Sequence, residues 1–352
     1  MNFPHSPRRT RHRLRRRRTL LLSTALAALG TGALAWAPAE LPAPKKGLNL
    51  LVVGIDSREG VTAAEKKKYR LGSRECSCTD VMMLVHVSEK NDRVSVVSLP
   101  RDSLTEFHEG HVDRRTGEKH KAHPAKINSA WAEGGSSFTV ETVEAMTGLP
   151  VHRYLEIDFR RFMDTVDVFD KGVPVCTKVP LKDSVTGLDL KAGSKSVKGG
   201  EALQYVRSRR ADGKMDFGRI QKQQLFLANL HRNLRDGLLK SPTGLRAFAS
   251  TLRGTDKGER AISVTELVGL AGRLKKLGPA GTQFATVPIA GFNANIAGVG
   301  STLAWDKKYA AEVFAALRAD KPLPKPHPKP SSEIPQGLGE YRPTGGGRLL
   351  CA

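Results

Sequence analysis

Val81-Met82-Met83-Leu84-Val85-His86-Val87 and Arg93-Val94-Ser95-Val96-Val97-Ser98-Leu99 are two β-rich runs separated by the polar stretch Ser88-Glu89-Lys90-Asn91-Asp92, with Thr79-Asp80 just before the first and Pro100-Arg101-Asp102 just after the second. That is the pattern of a hairpin. An antiparallel pair centred near residue 90 sets position 80 opposite position 100, so Asp80 and Arg101 should stand side by side at one end of a sheet. Upstream, the apolar run Leu48 to Val53 closed by Gly54 reads as a buried strand, leading straight into Ile55-Asp56-Ser57-Arg58. The sheet therefore ends in charged residues.

Downstream the periodicity changes. Helices are expected at Ala125–Ala132, Ser136–Met146 with Gly148 as stop, Phe159–Phe169, Thr243–Leu252, Ser263–Leu277 and Asp306–Ala319, and strands at His152–Ile157, Val173–Val179 and Gln283–Val287. Gly199 or Gly200 opens a short helix that delivers Arg207-Ser208-Arg209. Asp216 can cap a helix starting near Gly218, in which Ile220, Leu227 and Leu234 form an apolar stripe while Arg219 and Gln223, four apart, share another face. Strands interleaved with helices predict an α/β fold, a central mixed β-sheet flanked by helices in α/β/α layers.

The chain has 352 residues, 39% hydrophobic, and a net charge of +22. Eight arginines between Arg8 and Arg18 supply part of that charge, and the uncharged run Leu20 to Ala37 follows them directly. Such a run is at the lower limit for a membrane-crossing helix, and arginines on its N-terminal side orient it with the short tail in the cytoplasm. The chain then divides into a basic tail (1–18), a transmembrane helix or signal anchor (19–37), a Pro-containing linker (38–47), one extracellular globular domain (48–319) and a Pro- and Gly-rich tail (320–352) expected to run extended or disordered. A signal peptide cleaved near Ala33-Leu34-Ala35 is the alternative, and it delivers the domain to the same side. Export makes nucleic acid an unlikely partner despite the charge. It also places Cys76, Cys78, Cys176 and Cys351 in an oxidising compartment, where a disulfide from Cys76 or Cys78 to Cys176 is expected, with separate thiols as the alternative.

Arginines and carboxylates recur at strand ends and helix starts, which suits a site that grips a multiply charged anion through guanidinium forks and holds a divalent cation on aspartates. Pyrophosphate fits that description. The loop between Phe107 and Lys126 carries His108, His111, His120 and His123, but no scaffolded pair such as i, i+4 on a helix, and no metal site is expected there. Phosphate-loop, Gly-x-Ser-x-Gly and His-Glu-x-x-His motifs are absent from the sequence, which argues against nucleotide hydrolases, acyl hydrolases and zinc proteases of those types.

Gly54-Ile55-Asp56-Ser57-Arg58, Thr79-Asp80, Pro100-Arg101-Asp102, Lys126-Ile127-Asn128, Gly134-Gly135, Glu201 to Val206, Arg207-Ser208-Arg209 and Asp216 to Gln224 come in an order that resembles the LytR-CpsA-Psr family, over roughly residues 48 to 236. The resemblance implies a membrane-anchored phosphotransferase that moves an anionic glycopolymer from a polyprenyl-pyrophosphate carrier to peptidoglycan, using Mg2+ or, in its place, Mn2+. It implies Asp56 and Asp80 as metal ligands or acceptor-activating carboxylates, with Arg101 also catalytic. Pyrophosphate would be gripped by Arg58, Arg101, Arg207, Arg209, Arg219 and Gln223, and Asp102, Lys126 and Asp216 would support them. Arg219 has a second reading, as the partner of Asp216 on its own helix. One position departs from the family pattern: Cys78-Thr79-Asp80 stands where many members carry Arg-Ser-Asp, leaving Arg74 as a replacement only if its loop folds back. Two other functions compete, a non-catalytic polyprenyl-phosphate-binding scaffold and a transcriptional attenuator.

The topology is testable directly. A reporter fused after residue 46 should be active only outside the cytoplasm, and activity inside the cell would remove the cell-wall reading.

Overall fold

The structure, a computed structural model, describes residues 46–72, 76–114, 116–253, 258–326 and 341–351, with the backbone alone at 76, 77, 293 and 294. The expected membrane segment at 19–37, the basic tail before it and Arg74 lie outside the described residues. The strands are β1 (Leu48–Asp56), β2 (Cys76–Val87), β3 (Val94–Ser98), β4 (Leu104–Phe107), β5 (His123–Lys126), β6 (Arg153–Ile157), β7 (Val173–Thr177), β8 (Leu181–Asp183), β9 (Leu188–Leu190), β10 (Gly193–Val197), β11 (Thr282–Thr286), β12 (Ile289–Ile296), β13 (Gly300–Trp305) and β14 (Thr344–Gly345). The helices are α1 (Ala63–Lys68), α2 (Ala130–Thr147), α3 (Phe159–Asp167), α4 (Gly199–Arg207), α5 (Met215–Asp236), α6 (Pro242–Thr251), α7 (Val264–Leu274) and α8 (Lys307–Arg318).

Six strands form a mixed sheet in the order β14-β11-β3-β2-β1-β6, with β1–β6 and β3–β11 parallel and the other pairs antiparallel. Alternate strand residues pack to opposite sides. Leu51, Val53, Ile55, Met82, Leu84 and Val97 join Val140 and Val143 of α2 and Val313, Phe314 and Leu317 of α8 in one core. The other face, with Leu50, Val52, Met83 and Val85, meets α3, α4, α5, α6 and α7. A sheet covered on both faces must be apolar on both, which is why its central strands read as continuous hydrophobic runs. The α/β/α expectation holds.

The hairpin forms with Met83 opposite Ser98 and Val87 opposite Val94, a register one residue longer than a turn centred at 90 implies. Between β1 and β2 the pairing passes from Gly54↔Val81 to Ile55↔Thr79, so Asp80 is an extra residue on β2. A bulge of this kind re-aims a side chain at a sheet end. Gly54 permits the close approach, because a Cβ there would stand 3.0 Å from that of Val81.

Three expectations are corrected. The expected helix at 125–132 and the one at 136–146 are a β strand, a 3-10 turn at Ile127–Ser129 and one helix, α2, kinked at Gly135 (φ 72°, ψ −158°). Residues 341–351 are not loose: β14 extends the sheet edge, Tyr341 is buried, and Asn229 on α5 donates to the Leu349 carbonyl while accepting from the Cys351 amide. Cys176 is bonded not to Cys76 or Cys78 but to Cys351, 175 residues away; Cys78 is in a disulfide as well. Covering the edge strand with the chain's end protects its unpaired backbone groups from other partners.

Non-reducing peptide mapping should recover Cys176 joined to Cys351. Replacing Cys351 by Ser releases a closed loop of more than 100 residues, which the chain-entropy model values at up to roughly 5 kcal/mol. A peptide joining Cys176 to Cys76 or Cys78 would refute this pairing.

Candidate active site

The bulge at Asp80 faces two elements at once. Arg101, just past β3, donates from Nη1 to Asp80 Oδ1 at 2.6 Å, and Arg219 on α5 places its Nη1 3.4 Å from the same oxygen. The first contact is the side-by-side placement expected from the hairpin. Asp216, three residues before Arg219, lies 3.1 Å from Arg219 Nη2 and 2.7 Å from Arg209 Nε, so Arg219 does pair with Asp216 on its own helix. Asp216 sits in the first turn of α5 and does not cap it; the N-cap is Lys214. On the other side, Arg101 Nε is 3.5 Å from Asp102, whose second oxygen is 3.2 Å from Lys126 Nζ at the end of β5.

A second group adjoins the first. Arg58, 5% exposed, sits 3.1 Å from Asp56. The guanidinium carbons of Arg58 and Arg207 lie 6.0 and 4.8 Å from the centre of the Phe159 ring, a contact that attracts a cation to an aromatic face. Arg207 ends α4 and, among the described residues, has no carboxylate within ion-pair distance of it. Gln223 donates an amide N–H to the Val206 carbonyl at 3.1 Å, so it fastens α5 to the end of α4 that bears Arg207.

The charges at this site do not balance: Arg58, Arg101, Lys126, Arg207, Arg209 and Arg219 face four carboxylates, Asp56, Asp80, Asp102 and Asp216. Burial and the neighbouring Arg58 and Arg219 push the Arg207 guanidinium below its usual range, while Asp56 and Asp80 oppose that shift. Arg219 is likewise lowered, by burial and by Arg101 and Arg209. Asp56 is raised, by burial first and by Asp80, against the pull of Arg58. Burial also works to raise Asp80, but Arg219 and Arg101 outweigh it and hold its carboxyl below the ordinary value. The arrangement is short of anion beside Arg207, and Asp56 is sheltered from water with Arg58 as its partner.

An apolar channel with a cavity volume of about 120 Å³ starts at this charged cluster. Val52, Gly54, Val81 and Met83 of the sheet form its floor, and Phe159, Phe162, Leu203, Val206, Phe226 and Leu227 of α3, α4 and α5 form its walls. Asp80, Arg207, Arg219 and Gln223 line its polar end. A second, smaller polar cleft shares Asp80, Arg219 and Gln223 and adds Arg101, Asp102, Asp216 and Leu303.

Every residue named from sequence as a site candidate, the cysteines apart, lies at this cluster or supports it. Sequence reasoning missed Asp183. Its carboxylate accepts from the backbone amides of Val185, Thr186, Arg209 and Arg210, pinning the loop after Arg207, and these amides hold it below its ordinary value despite burial. Nothing in the chain's local pattern connects Asp183 to residues 26 positions later. Cys78, at the position where the resemblance implies an arginine, is buried and disulfide-bonded, so it adds no charge here.

A model of the LytR_cpsA_psr family matches residues 33–319. The chain belongs to the LytR-CpsA-Psr family. It is 30% identical over 283 residues to a probable cell wall biosynthesis protein, LcpB, of Corynebacterium glutamicum, covering 80% of this chain and 63% of that one. A polyisoprenyl-teichoic acid–peptidoglycan teichoic acid transferase, TagU of Halalkalibacterium halodurans, is 31% identical over 177 residues, 50% of this chain and 49% of its own. The chain thus spans about half to two-thirds of these curated relatives. Among solved structures, Bacillus subtilis TagV shares the fold with a TM-score of 0.55 at 24% identity, over 79% of this chain and 99% of that one. TagT bound to LI-WTA gives 0.54 at 25%, over 80% and 93%.

The charge imbalance predicts how this LytR-CpsA-Psr site responds to an anion. Arg207→Met keeps the packed stem and removes a guanidinium that burial and like charges disfavour, so the ligand-free variant should melt at or above the wild-type temperature. Inorganic pyrophosphate at 100 times its Kd should stabilise the wild type by about 2.7 kcal/mol and the variant far less. Equal stabilisation of both would remove Arg207 from the anion site.

Proposed function

We propose that this protein transfers an anionic glycopolymer from a polyprenyl-pyrophosphate carrier to peptidoglycan, releasing polyprenyl phosphate. One observation carries the reading: a cluster of arginines with excess positive charge stands at the mouth of an apolar channel. Such a site suits a ligand with a multiply charged head and a long hydrocarbon tail, since ligand sites are mostly apolar with a few polar groups that fix orientation. Relatives described as polyisoprenyl-teichoic acid–peptidoglycan teichoic acid transferases support the same substrate class. On this reading the domain works at the outer face of the cell membrane, with the lipid tail in the channel and peptidoglycan approaching over the polar cleft.

The donor set fits a divalent cation. Asp56 Oδ1 is buried and makes no hydrogen bond, although it is within ion-pair distance of Arg58, and its carboxyl is raised by burial and by Asp80. A hard cation relieves that cost, and Mg2+ in particular takes one or two carboxylates together with substrate phosphate oxygens. Asp56 and Asp80 would hold it, and when bound it would neutralise charge on the pyrophosphate.

In the reaction a sugar hydroxyl of peptidoglycan attacks the phosphorus that bears the glycan, in line with the bridging oxygen. The new O–P bond forms as the bond to that oxygen breaks, and the electron pair leaves with polyprenyl phosphate. A loose transition state of this kind asks little of a base and much of its surroundings. Asp80, oriented by Arg101 and lining both the channel and the polar cleft, stands where an acceptor hydroxyl can lose its proton. Arg207 and Arg219 at the channel mouth are placed to meet charge growing on the leaving phosphate, already fixed before the reaction begins.

The decisive assay combines the purified chain, a lipid-linked glycan and peptidoglycan oligomers, and scores released polyprenyl phosphate and the new phosphodiester. Arg101→Lys keeps charge but loses the planar fork, so transfer should fall by roughly 10²-fold or more while lipid binding changes much less. Asp80→Asn should abolish turnover that depends on divalent metal. If the wild type binds the lipid and forms no product with Mg2+ and acceptor, and Arg101→Lys is indistinguishable from it in cells, the protein is a lipid-binding scaffold instead.

A further inference from the structure

The loop between β4 and β5 gathers three imidazoles around one carboxylate. His111 Nε2 lies 3.0 Å, His123 Nε2 3.5 Å and His120 Nδ1 3.9 Å from Glu133 Oε2. One donor atom from each of the four residues lies within 4.8 Å of the others. The opposite ring nitrogens already have partners: His111 Nδ1 is 2.8 Å from the His108 carbonyl, and His123 Nδ1 is 3.0 Å from that of Lys121. A carbonyl only accepts, so both Nδ1 atoms carry hydrogen and both neutral rings turn a lone pair inward. His120 turns its Nε2 towards Asp113 at 3.9 Å. Imidazole lone pairs therefore meet a carboxylate oxygen, acceptor against acceptor, and only a cation at the centre or added protons can hold them there.

The surroundings make the arrangement rigid. The His111 ring is buried and stacks on Phe138 at 4.4 Å with an interplanar angle of 15°, and Phe107 meets His111 and His123 edge-on. Outward ring nitrogens bonded to carbonyls or carboxylates are the usual means of orienting metal-ligating histidines.

We propose that His111, His120, His123 and Glu133 form a zinc site, separate from Asp56 and Asp80. Three imidazoles and a carboxylate make a closed, four-coordinate N/O set that suits Zn2+, whereas Mg2+ and Ca2+ require oxygen ligands. The ion fastens the β4–β5 loop to the start of α2, which carries Glu133. Three residues along β5 from His123, about 10 Å, Lys126 meets Asp102. Zinc thus anchors the far end of a strand whose near end holds Asp102, a residue lining the polar cleft. His108 is outside the set: its Nε2 contacts Glu141 at the surface, its ring meets that of His111 edge-on at 5.9 Å, and its backbone carbonyl supports His111 Nδ1.

The test uses the full chain in detergent, purified without a polyhistidine tag, stripped with a chelator and titrated with ZnCl2 against a chromophoric competitor. One zinc per chain should bind, and Co2+ in its place should give the intense visible absorption of a four-coordinate site. His120→Ala and His123→Ala, at partly exposed positions, should weaken zinc by more than the 10–100-fold typical of losing an outer partner, about two decades at least; His108→Ala should bind as the wild type does. Zinc should raise the melting temperature of the wild type and of His108→Ala alone. The proposal is overturned by a wild type that takes up no zinc in competition, by equal uptake in His123→Ala, or by a weak six-coordinate cobalt spectrum, any of which leaves the cluster a set of imidazoles grouped around Glu133 without a metal.

Discussion

Asp80 is the contact on which the site depends. Its one oxygen Oδ1 accepts from Arg101, beyond the end of β3, and faces Arg219 on α5, so a single carboxylate joins the end of the sheet to the helix covering it. Those side chains are 25%, 21% and 5% exposed, and breaking a pair this sheltered leaves Arg219 charged and poorly solvated. Full burial would set that cost near 3–5 kcal/mol, with partial exposure reducing it here. The bulge that aims Asp80 is therefore more than a local irregularity: without the extra residue, the side chain would turn to the opposite face of β2 and the two arginines would share only Asp216.

The surrounding cluster is not built for stability. Asp216 collects Arg209 and Arg219, and Asp102 collects Arg101 and Lys126, but Arg207 stacks on Phe159 without a carboxylate of its own. A protein selected only for its fold would place a neutral side chain there. Holding an uncompensated guanidinium at the mouth of an apolar channel makes sense where a bound anion completes the charge balance, and fixed donors of this kind need no reorganisation as charge moves during a reaction. The channel and the cluster are one device, since α3, α4 and α5 supply both the apolar walls and the residues at the mouth.

Much of this was legible in the sequence, for reasons that are local. The hairpin around residue 90 is specified by pattern and a short turn, and together with the bulge at Asp80 it brings Asp80 to Arg101. Arg219 and Asp216 are three apart on one helix, so their pairing follows from helical geometry. What was illegible is what depends on distant partners. Cys176 finds Cys351 because β7 and the chain's end both pack against α5, an arrangement no spacing encodes. The final residues read as a Pro- and Gly-rich tail because composition says nothing of the Asn229 amide that binds their backbone. Gly135 was legible as a break, but not as a kink within a continuing helix, because a left-handed glycine can end a helix or redirect it and only the packing of Phe138 and Val140 decides which.

The histidine loop was the least legible part of the chain. A pair of side chains on one helix announces itself by i, i+4 spacing, whereas here the four side chains come from a loop, a strand end and a helix start. The β4–β5 ladder sets Phe107 opposite His123, and the loop beyond it pairs Val112 with Lys119 and brings the His120 amide to the His111 carbonyl. In an antiparallel ribbon, residues far apart in sequence but equally distant from the turn become neighbours. Positions 111 and 120 are related in this way, and so are 107 and 123. Their convergence is therefore a consequence of strand pairing, visible only once the turn near residue 116 is known, and Glu133 completes it because Arg114 donates its backbone N–H to the Glu133 carbonyl at 2.6 Å, tying the turn to the first residues of α2.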